Sequence, residues 1–519
     1  MAATLTINGV STEAPLGATI FDCAERVGVH VPTSCQKQGK CRECMVEVTE
    51  GMEYLSEPAD RESHLSGPFR LSCRTSVVTA GGEIRCHTMR RGHMRIERQA
   101  VGLPLFDTFD ARPGYGLAMD LGTTTVVLRL LNLETGELVA DTSFENPQRF
   151  GGSDVMARIH YDTLHPGKLL RRTLAGYLSH AIEELPVDPK SIREMVVVGN
   201  STMRDLFFRQ SVYSIGQSPY RSITEIEMAE GKRSSTSLTE TGRRCLLPIH
   251  PEAEVYGAPI ISGHVGADAA ACMLAVDVAH EDRIVAVMDI GTNTELIVGN
   301  RGRILAASCP AGPAFEGGAI ACGMPALDGA IESVRIREDG EFELDVIGGG
   351  APQGICGSGL VSLMSELMHT GQMNDRGRFE DDVKRIVLDE ANNIYFTEGD
   401  VNELAQAKGA NVAGLQTVFS NFGIEFQEVD VFYLAGGFGR HLDVDAAKRI
   451  GLIPGIEKSR IVQVGNAAIE GATLALLSRA KRQELEETVR RVEFCRLETH
   501  PGFFDFFVDG CQFRAVGAA

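Results

Sequence analysis

Four cysteines near the N-terminus, Cys35, Cys41, Cys44 and Cys73, have the type and spacing of a metal-binding loop. The run is C-x5-C-x2-C, with the fourth cysteine well downstream. Four thiolates so arranged suit a [2Fe–2S] cluster, whose plant-type spacing is C-x4-C-x2-C…C; here the first gap is one residue longer. Gly39 allows the loop to fold back so that cluster sulfides meet backbone N–H donors. Zinc is the other reading, but zinc sites favour two C-x2-C pairs and only one is present. A plant-type cluster lies at about −400 mV, so it takes electrons singly from a strong reductant. Cys23 and Cys86, on a helix and a strand, read as packed apolar residues.

A second chemistry appears twice. Asp120-Leu-Gly-Thr-Thr-Thr and Asp289-Ile-Gly-Thr-Asn-Thr share one pattern. Gly122 and Gly291 let the backbone turn tightly against a phosphate. Thr123, Thr124, Thr292 and Asn293 offer N–H and side-chain donors to its oxygens. Asp120 and Asp289 would hold Mg²⁺ through water, since that ion keeps several waters. No Walker sequence occurs. A third glycine-rich run, Leu434-Ala-Gly-Gly-Phe-Gly439, follows an apolar strand. Gly436, Gly437 and Gly439 there would admit a purine and ribose, or form a plain strand-to-helix turn. Val198-Gly-Asn-Ser-Thr-Met203, with Asn200, and Gly465-Asn-Ala-Ala-Ile-Glu-Gly471 each follow a strand and open a helix of small residues. Small residues permit close helix crossing, as a hinge between lobes needs.

These residues require elements to position them. Residues 3–10 and 43–49 alternate like strands, with Asn8-Gly9 a hairpin signal. Residues 19–27 have helical spacing, with Ile20, Ala24 and Val27 on one face. This start suits a small β-grasp domain over 1–92. Residues 93–115 lack periodicity and read as a linker on which that domain swings. From there a strand–loop–strand–turn–strand unit occurs at 117–119, 126–133 and 138–144. It returns at 284–288, 295–299 and 303–308. The repeat implies two similar lobes, 116–283 and 284–519. Helices are expected near 153–162, 167–184, 265–276, 357–370, 401–422, 466–480 and 483–490.

The chain has 519 residues, 43% hydrophobic, with net charge −20 and pI about 5.2. That acidity argues against nucleic acid or an anionic membrane as partner. No apolar run approaches the roughly 20 residues of a membrane span. The N-terminus lacks a basic region followed by an apolar core, so no signal peptide is expected. Thirteen cysteines without such a signal read as metal ligands and buried hydrophobes in a reducing cytoplasm.

Five blocks in order, 120–125, 198–203, 289–294, 434–439 and 465–472, resemble the acetate and sugar kinase, Hsp70 and actin superfamily. With the cysteine domain in front, the whole chain resembles the reductive activators of corrinoid proteins. The stretches that carry this include Asp289 to Glu295, Pro310 to Gly317, Gly354 to Gly359 and Leu434 to Gly439. The resemblance implies a [2Fe–2S] ferredoxin domain followed by a two-lobed, actin-like (duplicated ribonuclease H-like) ATPase. It implies ATP-dependent one-electron reduction of a protein-bound corrinoid from Co(II) to Co(I), with ATP and Mg²⁺ as further cofactors. A corrinoid protein and a low-potential donor such as reduced ferredoxin or flavodoxin would be the partners, with a homodimer also compatible. It adds Glu295 to the catalytic carboxylates Asp120 and Asp289. It also suggests that the loop 309–324 faces the partner through Phe315 and Glu316; the alternative is a loop that closes the nucleotide cleft. Some relatives carry a small extra domain for which 93–115 leave no room. Two other functions fit parts of the pattern: an activator of a radical dehydratase or reductase, and a small-molecule kinase with a redox-sensing domain.

Overall fold

The Asn8-Gly9 turn sets up the first sheet. Both residues take left-handed φ, 50° and 81°, which a two-residue hairpin needs and which these residue types tolerate. In this computed structural model, which describes residues 2–89, 108–165, 167–380, 383–437, 439 and 441–517, the turn joins Ala3–Ile7 to Val10–Ala14. Glu83–Thr88 runs parallel to Ala3–Ile7, and Met45–Glu50 and Phe69–Leu71 complete five strands. Helix Ile20–Arg26 starts at Thr19, whose hydroxyl accepts from the Asp22 N–H. It buries Ile20, Phe21, Cys23 and Ala24 on the sheet, the expected β-grasp core. Val27 caps the helix and is half-buried.

The duplicated unit folds as two six-stranded sheets. In the first, Tyr115–Leu121, Thr125–Asn132 and Leu138–Glu145 are antiparallel neighbours. In the second, Val285–Asp289, Thr294–Asn300 and Arg303–Cys309 repeat that arrangement. The leading strand of each triplet pairs in parallel with a later strand, Ile192–Gly199 or Val431–Ala435. A second parallel strand follows in each, Glu254–Gly257 or Ile461–Gly465. Their continuous apolar runs suit strands covered on both faces. The sixth strands differ: Leu238–Thr241 sits beside Glu254–Gly257, whereas Val492–Phe494 joins the opposite edge beside Arg303–Cys309. Helices Ala267–Ala275 and Ala467–Leu477 lie between the sheets and share one core with Ala118, Val196, Val287 and Ile297. Their backbones touch, since a Cβ on Gly471 would come within 2.0 Å of the Ala271 carbonyl oxygen. The small residues that open these helices thus permit a tight crossing at the junction of the lobes.

Of the expected linker, residues 93–107 lie outside the described residues. Residues 108–114 are pinned to the larger part of the chain. Arg112 donates to Glu194 at 2.5 and 2.8 Å and to the Leu476 carbonyl, and Thr108 bonds the Ser478 hydroxyl.

The first domain, expected to swing, is docked on helix Leu169–Glu183 and its surroundings. Tyr177 donates its hydroxyl to the Glu43 carbonyl at 2.6 Å, and His180 meets the Glu43 carboxylate at 3.0 Å. Tyr161 donates to the His64 carbonyl at 2.8 Å, and Arg149 reaches Glu47 at 3.2 Å. Met45 and Phe69 share a core with Phe150 and Tyr177. The contact is polar and apolar together. Each hydrogen bond contributes about 1 kcal/mol net. Removing the Tyr177 bond and the two-pronged, partly exposed Arg149–Glu47 pair, about 1 kcal/mol each, with Tyr177→Phe and Arg149→Ala is therefore expected to raise opening of the interface roughly thirtyfold. Faster amide exchange over 43–47 and 176–180, without faster exchange in Val285–Asp289, is the measurement. Unchanged exchange would show that the apolar contacts alone hold the domain.

Among the described residues, no helix is long and apolar enough to cross a membrane.

Candidate functional site

The cysteine loop is built for sulfur. Gln36, Lys37, Gly39 and Arg42 all have left-handed φ, between 52° and 69°. For the three that are not glycine this costs about 1 kcal/mol or more each. The strain buys proximity: Cys44 and Cys73 bring their sulfurs to 3.2 Å, and Cys35 hydrogen-bonds Cys41. Burial opposes ionisation of Cys35, yet N–H groups of Cys41, Lys40 and Gln38 bring its thiol down to about 7. The Gly39 N–H serves Cys73 in the same way. Cys44 and Cys73 are buried, Cys35 and Cys41 half-buried. Four sulfurs in two touching pairs, met by backbone donors, fit an iron–sulfur cluster. Cys23 and Cys86 are buried in the sheet's core, as expected of packed residues.

The second site is a cavity of about 290 Å³ between the lobes. It is lined by both phosphate loops, by Gly436 and Gly437, and by the starts of the helices after Gly199 and Gly465. Local hydrogen bonds hold the first loop. Asn200 donates to the Thr123 hydroxyl at 2.8 Å while capping helix Ser201–Phe207. Arg158 donates to the Thr123 carbonyl at 2.7 Å, and Asn146 to that of Gly122 at 2.8 Å. The two loops meet: the Thr124 and Thr292 hydroxyls are 2.8 Å apart.

The cavity is acidic. Asp120, Asp268, Asp289, Glu295, Glu316, Glu332 and Glu470 line it. Among the described residues that line it, the one arginine or lysine is Arg129, held by Glu470 at 2.7 Å and Asp141 at 3.1 Å. Burial pushes the Asp120 carboxyl up to about 7 and that of Asp289 to about 6. Burial, with Asp120 and Asp289 nearby, brings Asp268 up to about 7 as well. Burial beside Asp268 and Asp289 drives Glu295 upward too. Buried like charges of this kind call for a cation. An oxygen-liganded divalent ion fits this donor set, and a triphosphate would need one to enter.

Asp268, Asn466 and Cys272 are missing from the sequence-based site. Asn466 donates to Asp120 at 2.8 Å while capping helix Ala467–Leu477, the counterpart of Asn200 in the other half. The Cys272 thiol donates to Asp289 at 3.3 Å. The repeated strand–Gly-Asn–helix motif was the signal for Asn466; nothing local singles out Asp268 or Cys272.

Most expected residues converge: Asp120, Gly122, Thr123, Thr124, Asn200, Asp289, Gly291, Thr292, Asn293, Glu295, Gly436 and Gly437 all line the cavity. Gly439 stands back, its carbonyl accepting from Gln463. Phe315 and Glu316 are corrected. Phe315 is 1% exposed and packs in the second lobe's core, and Glu316 points into the cavity. Phe315 offers no outer face to a partner, and both side chains line the cleft. His441 lines the cavity and is exposed. Lys408 is fully buried and donates to the carbonyls of Gly510 and Gln512. It ties helix Glu398–Phe422 to the C-terminal segment.

Comparison with known proteins follows the same division. Residues 283–518 match the family described as the C-terminal domain of RACo, the ASKHA domain. Residues 115–281 match the RACo middle region, and 4–78 the 2Fe-2S iron–sulfur cluster binding domain. The corrinoid activation enzyme RamQ of Eubacterium limosum is 33% identical over 432 residues, 78% of this chain and 71% of that protein. The Co(II) methylated amine-specific corrinoid protein reductase of Methanosarcina barkeri is 26% identical over 428 residues, 76% of each. A solved structure of a reductive activator for corrinoid, iron–sulfur protein is 25% identical. It superposes with a TM-score of 0.72 over 99% of this chain and 98% of that one.

Proposed function

The chain belongs to the reductive activators of corrinoid proteins, and from that membership we propose that it uses ATP to reduce a protein-bound corrinoid from Co(II) to Co(I). The observation that carries this reading is the docking of a four-cysteine loop domain on the lobe that holds one of two facing phosphate loops. The substrate is a corrinoid protein of a methyltransferase system, and the electron comes from a low-potential donor such as reduced ferredoxin or flavodoxin. Thirteen free cysteines in an acidic chain suit a reducing cytoplasm as its compartment.

A [2Fe–2S] cluster held by Cys35, Cys41, Cys44 and Cys73 supplies a one-electron centre. The two close pairs, Cys35 with Cys41 and Cys44 with Cys73, support thiolate ligation of such a cluster. In the cleft, Thr123, Thr124, Thr292 and Asn293 receive the phosphates, while Gly122 and Gly291 let the backbone approach them. Gly436 and Gly437 leave room for the nucleoside. Asp120 and Asp289 would hold Mg²⁺, which would neutralise charge on the phosphates. Asn466 and Cys272 fix the two carboxylates for this task. Glu295, hydrogen-bonded by Ser308 at 3.2 Å, backs the Asp289 side.

The protein, a corrinoid protein, Mg²⁺–ATP and a low-potential reductant are mixed without oxygen, and Co(I) is followed by its absorbance. Co(I) is expected only when all four are present. ATP hydrolysis stimulated by a small alcohol or acid, and not by corrinoid protein, would identify a kinase instead.

A further inference from the structure

Glu316 stands where the two phosphate loops meet. Its carboxylate accepts from the Thr292 hydroxyl and, at 3.1 Å, from the Thr124 hydroxyl. These two threonines come from different lobes, and their hydroxyls are 2.8 Å apart. A carboxylate that takes donors from both loops at once does what a phosphate oxygen would do there. It does so in a cavity already lined by six other acidic side chains. The backbone behind it is fixed. Phe315 is buried in the second lobe's core, and the Gly312 N–H bonds the Thr292 carbonyl at 2.9 Å. The carboxylate can therefore leave by a side-chain swing, without opening the loop.

Resting on the reading of this cleft as an ATP site, we propose that Glu316 holds the seat of the terminal phosphate and competes with it for Thr124 and Thr292. Its charge then sets how strongly the cleft prefers a triphosphate over a diphosphate. ATP must displace the carboxylate from both hydroxyls and accept a like charge nearby; ADP, one phosphate shorter, leaves it in place. Specificity is a difference of two affinities, and a fixed negative charge at one subsite acts on only one of them.

The test is titration of the cluster-loaded protein with a non-hydrolysable Mg²⁺–ATP analogue and with Mg²⁺–ADP, for the parent and for Glu316→Gln. The amide keeps a hydrogen bond and removes the charge. The analogue is expected to bind the variant about tenfold more tightly, with ADP changed by less than about twofold. Glu316→Ala carries the same expectation and serves if the amide disturbs the loop, with thermal melting as the check on folding. Equal or weaker analogue binding in both variants overturns the proposal. Unchanged binding with turnover lost would make Glu316 a base that acts on water, which also overturns it. A parent protein that binds neither nucleotide overturns the cleft reading itself, a result distinct from either.

Discussion

Asp289→Asn is expected to slow ATP hydrolysis by about a hundredfold or more, because a metal-orienting carboxylate contributes several kcal/mol to the barrier. Asp289 ends the strand Val285–Asp289 and opens the second phosphate loop. A Cβ on Gly436 would lie 2.9 Å from its carboxylate, so the glycine-rich turn packs directly over it. The residue thus touches both the loop assigned to phosphate and the loop assigned to the nucleoside. Asparagine keeps its size and removes the charge, in a cavity where charge is what holds a divalent ion. The cluster domain docks on the other lobe, so its visible spectrum should stay the same. Phosphate release at saturating Mg²⁺–ATP and the absorbance of the oxidised cluster are the two measurements. Hydrolysis at the parent rate would move the metal to other carboxylates, with Asp268 the first to test.

What could be read in the sequence was local. A glycine hairpin, a four-cysteine spacing and an alternating strand each declare themselves within ten residues or so. That is why both phosphate loops, the cysteine loop and the triplets of strands were legible. The edge strand Val492–Phe494 was not: it has three residues and joins Arg303–Cys309 from the far end of the chain. Ala330–Ile336 and Phe342–Val346, which pair antiparallel, were not among the strands expected. In the site, Asp268 and Glu316 take their meaning from the meeting of two lobes. No spacing encodes that meeting. Glu316 sits in a glycine-rich loop that could equally have faced outward; the burial of neighbouring Phe315 turns it in. The burial of Lys408 has no local signal either, because the carbonyls of Gly510 and Gln512 that surround its ammonium come from the far end of the chain.

Cys73→Ala is expected to abolish Co(I) formation and to remove most of the iron, while nucleotide binding persists. Cys73 is the one thiol of the four that lies outside the loop 35–44, and it closes the set by placing its sulfur 3.2 Å from that of Cys44. Without it, the left-handed residues of the loop lose part of what repays their strain. Three thiolates do not complete a [2Fe–2S] site, which takes four. Cys23→Ala is the control: Cys23 is buried on helix Ile20–Arg26, where it only packs and accepts from Arg26, so iron should stay. Iron and sulfide in equal amounts in the parent, with a one-electron paramagnetic signal on reduction, are the readouts. Stoichiometric zinc in protein purified without oxygen would end the cluster assignment, and with it the electron-transfer half of the function. Retained Co(I) formation in Cys73→Ala would instead mean that a different thiol completes the set. The half-buried Cys322 and Cys511 lie in the second lobe, far in sequence from the cysteine loop, so such a rescue would require a rearranged domain.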